Sequence, residues 1–400
     1  MQSFDVVIAG GGLSGCLSAL ALADLVDADG KKLSIAIIEA NDLKTQAIKT
    51  FDERVLALSH GTAKYLDSVG AWQHLKRSAE GIKTIHISDR DYYGKARVYA
   101  HEHNVEALGY VCEMSAIGDA LLTELKTKVD ITWFCPNSIA DITWHKEKVD
   151  ITLDSEQVVS AKLLLACDGA NSVCRKAANI ATDTTQYDQA ALIANIRWSK
   201  AHENVAYERF TEHGPIAMLP LPEDTQESKK ASLVWTMPPE EAQQLLELNE
   251  EAFNKSLVEA FGSWLGKIEQ LGKRFVYPLN LVQAQEQVFH RMALIGNASH
   301  TIHPIAGQGF NLGVRDVAVL AKSIKQQLDN GEDIGSFRNL MEYAVDRKQD
   351  HKEIIGLTDS LVTLFSNKYE PLVLGRNIGL KVLNYVNPLK SAFVRKTMGY

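Results

Sequence analysis

The chain has 400 residues and 46% hydrophobic content, enough for a substantial buried core and, by length, for two or three domains. Its net charge of −8 argues against a nucleic-acid surface, which needs clustered Lys and Arg. Five cysteines without a CxxC pair argue against a disulfide framework and suit a reducing cytoplasm, where buried thiols are the default.

"FDVVIA" (4–9) reads as a β-branched strand, "GGGLSG" as a glycine turn and "CLSALALADL" as a helix. "LSIAIIE" (33–39) is a second strand ending in an acid, which makes this a βαβ unit. The uncharged run from Val6 to Ala23 is not expected to be a signal peptide or membrane span, because no Lys or Arg precedes Lys31 and glycines interrupt it. Residues 55–80 read as a helix broken at Gly70. "GYVCEM" (109–114) is a strand turning into a helix, and strands follow around 131–145 and 149–153. "AKLLLACDGANSVCRKAA" (161–178) repeats the order of buried strand, polar turn and helix. From about 180 to 285, alternating segments such as "ALIANIRW" and "ASLVWTM" predict a mainly antiparallel sheet, with one helix near 240–261 and a polar hairpin loop at 222–230. "RMALIGNA" (291–298) returns to a buried strand. The expected first domain is therefore discontinuous, with 1–75, 105–180 and 288–350 set against a second domain of 76–104 and 181–287. Residues 351–400 are expected to form a helical C-terminal segment.

Gly10, Gly12 and Gly15 form G-x-G-x-x-G between a strand and a helix. The first allows the tight turn, the second lets the backbone approach a pyrophosphate, and the third packs helix on sheet. Glu39 is placed to accept two ribose hydroxyls, and an acid there disfavours a 2′-phosphate, so FAD or NAD is expected rather than NADP. In "HPIAGQGFNLG" a proline and glycines around Gln308, followed by Asn311, precede an amphipathic helix whose N-terminus suits an anionic or electron-rich ligand. His300 and His303 in "HTIHP" have no Cys or carboxylate cluster beside them in sequence, so no metal site is expected.

"DGANSVCR" (from Asp168) and "GNASHTIHPIAGQGFNLGVRD" (from Gly296) follow the glycine motif in the order found in flavin-dependent aromatic hydroxylases, which the chain resembles over almost its whole length. "FDERVLALSHGTAKYLDSVGAW", "LGYVCE" and "AYERFTEHGPIAMLPL" further resemble the branch that hydroxylates polyprenyl methoxyphenols in ubiquinone synthesis. The resemblance implies an α/β fold: a Rossmann-like FAD-binding domain of the p-hydroxybenzoate hydroxylase type, an interleaved, mainly antiparallel α+β substrate domain, and a helical C-terminus. It also implies a single-component monooxygenase in which NAD(P)H reduces FAD and one atom of O2 passes to a lipophilic phenol. With one GxGxxG only, the nicotinamide is expected to visit without a Rossmann domain of its own.

Carried over by residue, the resemblance assigns the ADP half of FAD to Gly10, Gly12, Ser14, Gly15 and Glu39, and the pyrophosphate to Arg54. Asp168 and Gly169 would line the pyrophosphate channel. Asn297, Gly307, Gln308, Gly309 and Asn311 would hold the ribityl chain and flavin ring. The carbonyl of Pro304, with His303 beside it, would face the substrate hydroxyl. Asn297 departs from the family's commoner Asp but still offers one acceptor oxygen. The rival readings are a squalene-epoxidase-like or halogenase-like relative acting on another lipophilic substrate, although the halogenase W-x-W-x-I-P run is absent, and a flavoprotein subunit of a biosynthetic complex that has lost catalysis.

Residues 367–400 carry Lys368, Arg376, Lys381, Lys390, Arg395 and Lys396 against Glu370 alone, interleaved with apolar side chains. For a cytoplasmic enzyme whose substrate lies in the bilayer, this tail predicts peripheral contact at the inner membrane face. Association with other proteins of ubiquinone synthesis is expected on the same ground.

Overall fold

The computed structural model describes residues 2–42, 54–90, 95–128, 130–223, 228–302 and 308–365 (side chains to 356), together with Val394, Arg395, Met398 and Gly399. Strand β1 (Gln2–Ala9) leads through the glycine turn into α1 (Leu13–Leu22) and β2 (Ile35–Ile38). Then come β3 (Val55–Ser59), α2 (His60–Ser68), α3 (Trp72–Leu75), β4 (Ala79–Gly81), β5 (Thr84–Asp89), β6 (Lys95–Tyr99), β7 (Gly109–Glu113) and α4 (Met114–Leu125). Next are β8 (Ile131–Phe134), β9 (Ile139–Trp144), β10 (Val149–Leu153), β11 (Val158–Ala166) and α5 (Val173–Ala177). The middle of the chain supplies β12 (Thr182–Trp198), β13 (Val205–Phe210), β14 (Pro215–Pro220), β15 (Lys230–Met237), α6 (Pro239–Glu247), α7 (Glu250–Phe261), β16 (Ile268–Leu271) and β17 (Phe275–Ala284). The rest is β18 (Val288–Phe289), β19 (Met292–Leu294), β20 (His300–Thr301), α8 (Gln308–Asp329) and α9 (Phe337–Phe365).

Among the described residues the strands form three sheets. In the first, the order is β18-β19-β11-β1-β2-β8, with β10 and β9 added beyond β11. β1 lies parallel to both β11 and β2. Its residues Val6 to Ala9 are all buried, as a parallel strand covered on both faces requires. Helices α1, α4 and α8 pack on one face of this sheet through Leu17, Leu20, Ile117, Leu121, Val317 and Leu320. The second sheet runs β20-β17-β12-β15-β14-β13-β5-β6, and one face is closed by α6 and α7 through Trp198, Leu233, Phe253 and Phe261. A small third sheet, β3-β7-β4, lies between the other two.

Three sequence expectations need correcting. Residues 55–59 are a strand rather than the start of a helix, because Leu56 and Leu58 pair with Cys112 and Tyr110 of β7. The helix begins only at His60, where the Ser59 hydroxyl accepts the Thr62 N–H at 3.1 Å. The single helix expected near 240–261 is two helices, because Asn249 caps the second by accepting the Ala252 N–H at 2.9 Å. The strand expected over 291–298 is shorter: β19 ends at Leu294, and Gly296–Ala298 forms a 3-10 turn.

Candidate functional site

The glycine turn is built by close backbone approach. Gly10 has φ +95°, and a Cβ there would lie 2.6 Å from the Cys167 carbonyl oxygen at the end of β11. A Cβ on Gly15 would lie 1.9 Å from the Gly10 carbonyl oxygen, so α1 sits directly on the turn. Gly12, the N-cap of α1, has nothing within 4 Å of its Cβ position and leaves an open face at the positive end of the helix. No acidic side chain occupies that first turn. Glu39 follows β2 with one carboxylate oxygen accepting the Gly11 N–H at 2.7 Å and the other accepting the Asn41 N–H at 2.8 Å, which ties the acid to the turn.

The second wall comes from the end of β11. Asp168 accepts the Cys174 N–H at 3.0 Å through one oxygen, while the other is buried with no hydrogen-bond partner among the described residues. Gly169 also has nothing within 4 Å of its Cβ position. The turn is braced by Arg175, which donates to the carbonyls of Ala170 at 2.7 Å and Ala298 at 2.8 Å and so links this motif to the 3-10 turn of Gly296–Ala298. Two open glycine faces, a free helix terminus and an orphaned buried carboxylate oxygen fit a dinucleotide that brings its own phosphates and hydroxyls.

The third wall is the 3-10 turn and the start of α8. A Cβ on Gly296 would meet the Ser14 hydroxyl at 2.7 Å, so Ser14 and Gly313 pack α1 and α8 against this turn and expose Asn297 beside them. Gln308 opens α8 and is buried, and Gly309 follows near Ile302. The Asn311 amide is engaged by β3: its oxygen accepts the Ser59 N–H at 2.8 Å and its nitrogen donates to the Ala57 carbonyl at 2.9 Å. Asn311 therefore fixes the strand that begins just after the exposed Arg54. His303, Pro304 and Gly307 lie outside the described residues, as does most of the basic tail. Val394 and Met398 pack on Val98, Ala100 and Leu108.

Behind this wall is a buried ionic cluster. One Asp316 oxygen accepts from Arg347 Nε at 2.7 Å and from His351 Nε2 at 2.8 Å, and the other accepts the Gly296 N–H at 3.2 Å. Burial alone would raise the Asp316 pKa, but His351, His300 and Arg347 outweigh it and hold the carboxylate well below the usual range. His300 packs edge-to-face on His351, and burial lowers it to about 4. His300, Asp316 and His351 bring possible ligand atoms within 4.8 Å of one another. The Arg347 guanidinium already supplies the positive charge at that carboxylate, and a dication beside it would be repelled.

The chain matches the FAD binding domain family over residues 3–349. It belongs to the FAD-dependent monooxygenases. Over 398 residues this monooxygenase is 35% identical to the ubiquinone hydroxylase UbiL of Rhodospirillum rubrum, covering 99% of this chain and 89% of the relative. It is 34% identical to the human mitochondrial ubiquinone biosynthesis monooxygenase COQ6, with 97% and 91% covered. The crystal structure of p-nitrophenol 4-monooxygenase PnpA from Pseudomonas putida superposes with a TM-score of 0.79 over 100% of this chain and 99% of that one, at 17% identity, a likeness of fold. Among the described residues, no helix is long and apolar enough to cross a membrane.

Sequence reading passed over two features. The ionic cluster was legible in part, since Arg347, Asp350 and His351 share one face of α9 by helical spacing; nothing local pairs them with Asp316 on α8. Glu208, inside the quoted "AYERFT", was given no role. It is half-buried on β13, has no partner among the described residues, and is pushed up to about 7 by burial.

Proposed function

We propose that this monooxygenase uses NAD(P)H and O2 to add a hydroxyl to the ring of a polyprenylated methoxyphenol in ubiquinone biosynthesis. The observation that carries the reading is the likeness to ubiquinone-synthesis hydroxylases across essentially the whole chain, together with a dinucleotide cradle whose open faces are not filled by any of the described residues. FAD, when bound and reduced by NAD(P)H, supplies the activation of O2. The chain's own residues position and shield. Gly10, Gly12, Ser14, Gly15 and Glu39 hold the ADP half, with Arg54, Asp168 and Gly169 toward the pyrophosphate. Asn297, Gly307, Gln308, Gly309 and Asn311 hold the ribityl and ring portion, and Pro304 with His303 forms the substrate side.

The balance is one phenol, one O2, one NAD(P)H and one proton giving the hydroxylated ring, NAD(P)+ and water. Excluding bulk water keeps the activated oxygen from being lost as peroxide. Peripheral contact of the basic tail with an anionic membrane belongs to the same reading, because a polyprenyl substrate resides in the bilayer.

The test is the precursor that accumulates in a strain lacking this chain. A polyprenylated methoxyphenol one hydroxyl short of the next intermediate is expected. Normal ubiquinone with no accumulated phenol would refute the reading.

A further inference from the structure

The face of the second sheet opposite α6 and α7 carries a row that is only partly covered. Along β13, Tyr207 stacks on Trp264 with centroids 5.5 Å apart, and Arg209 Nε donates to the Ala260 carbonyl at 3.0 Å, so both side chains lie on the helix-covered face. Alternation puts Ala206 and Glu208 on the other face. Ala206 packs there with Ile82, Val111 and Leu221, and with Val55 at the start of β3, the strand held by Asn311. In register with Glu208 stand Ile87 of β5 and Ala217 of β14, then Val234 of β15, Ile193 of β12 and Phe275 of β17. All six are half-buried. Glu208 is the one charged group in an otherwise apolar row, and its carboxylate has no hydrogen-bond partner among the described residues.

We infer that Glu208 contacts the substrate: its carboxylate accepts the phenol O–H, with the apolar row beside it as the floor for the ring. The inference rests on the reading that the substrate is a phenol. An unpaired carboxylate half out of water is costly unless a donor completes it, and a phenol O–H on an apolar ring is such a donor. The step is a proton transfer in which the O–H bond breaks, the proton goes to a Glu208 oxygen, and the electron pair stays on the phenol oxygen and enriches the ring for attack. A carboxyl poised to exchange a proton near neutral pH suits that task.

The experiment uses the FAD-loaded full chain, with 2-methoxy-6-farnesylphenol and its O-methyl ether as probes. Binding is read from the perturbation of flavin absorbance, and turnover from product formed per NAD(P)H oxidised. In the wild type the phenol should bind more tightly than the ether by roughly tenfold to a hundredfold, the range of a hydrogen bond to a charged group. Glu208→Leu should abolish that preference while retaining FAD. Glu208→Gln, with its shape kept, should bind the phenol yet lose coupling, so that NAD(P)H oxidation yields peroxide in place of product. Wild-type preference and coupling in both variants would overturn the assignment of Glu208. A wild-type enzyme that neither binds nor hydroxylates the phenol would overturn the phenol reading, and the assignment with it. If Glu208→Leu loses FAD, Glu208→Gln decides on coupling alone.

Discussion

Replacing Asp316 by Asn tests whether the buried cluster is what holds the flavin-side turn. The substitution keeps shape and removes charge from a side chain with no exposure, leaving the Arg347 guanidinium inside the protein with one of its two carboxylates. Removing one partner of a buried pair costs roughly 3–5 kcal/mol. Arg347 keeps Asp350 at 2.6 Å, and Asn retains one acceptor for His351 or Gly296, so about 3 kcal/mol is expected, at the low end of that range. The assay is equilibrium urea unfolding of the FAD-loaded chain, followed by tryptophan fluorescence and by flavin release, for Asp316→Asn, Arg347→Met and the double variant. Removing both charges leaves no uncompensated ion, so the double variant should recover to within about 1 kcal/mol of the better single one. Flavin should be released earlier than the fold is lost in Asp316→Asn, because the Gly296 N–H loses its charged acceptor. A double variant as unstable as the two singles added together, with flavin release unchanged, would refute the reasoning.

His300 gives a pH signature. Folded, it titrates near about 4, against about 6.5 unfolded, so the unfolded chain takes up the proton first. Stability is therefore complete above pH 6.5 and is lost as pH falls toward 4, by roughly 3 kcal/mol, and His300→Gln should flatten that part of a urea-midpoint profile. Gly12→Val should fold but purify without FAD, since its Cβ meets open space where the pyrophosphate comes, whereas Gly15→Ala should fail to fold because its Cβ would strike the Gly10 carbonyl; absorbance at the flavin band and circular dichroism separate the two outcomes. Asn297→Asp should keep or tighten FAD, read by the apparent Kd of the apoprotein. Liposome co-sedimentation should show the full chain on anionic vesicles at low salt and less at high salt, with a chain ending at Asn367 losing the salt-sensitive part; equal partitioning of both would assign the tail to the fold alone.

The glycine cradle was legible in the sequence because its physics is local: strand, three glycines, helix and distal acid lie within Phe4 to Glu39. Parallel strands were legible as unbroken apolar runs, as in Val6–Ala9 and Leu163–Ala166. Residues 55–59 were misread because "VLALS" has no strong period, and its state is decided by β7 and Asn311, both distant in sequence. For the same reason the grip of the Asn311 amide on β3 was not legible, because its backbone partners lie 252 and 254 residues away. Glu208 lacked a signal altogether. Its meaning depends on which face of β13 is covered by α7, and alternation alone cannot say which face that is.

The parallel sheet has a consequence for synthesis. β1 pairs early with β2 but gains its second parallel neighbour only when β11 is made, and β11 gains its own second parallel neighbour only when Met292–Leu294 has left the ribosome. At roughly 5–20 residues per second, the N-terminal strand emerges about 15–60 s before that last strand, and until then the Leu164–Ala166 edge of β11 and the apolar face that α8 covers wait in water. Between them the ribosome delivers the whole second sheet except β20, which pairs from beyond β19. The nascent chain is thus most prone to aggregate well before its final third is complete. Holdase chaperones that mask apolar strands should raise the yield of folded protein more than slower translation does, since slowing only lengthens the wait.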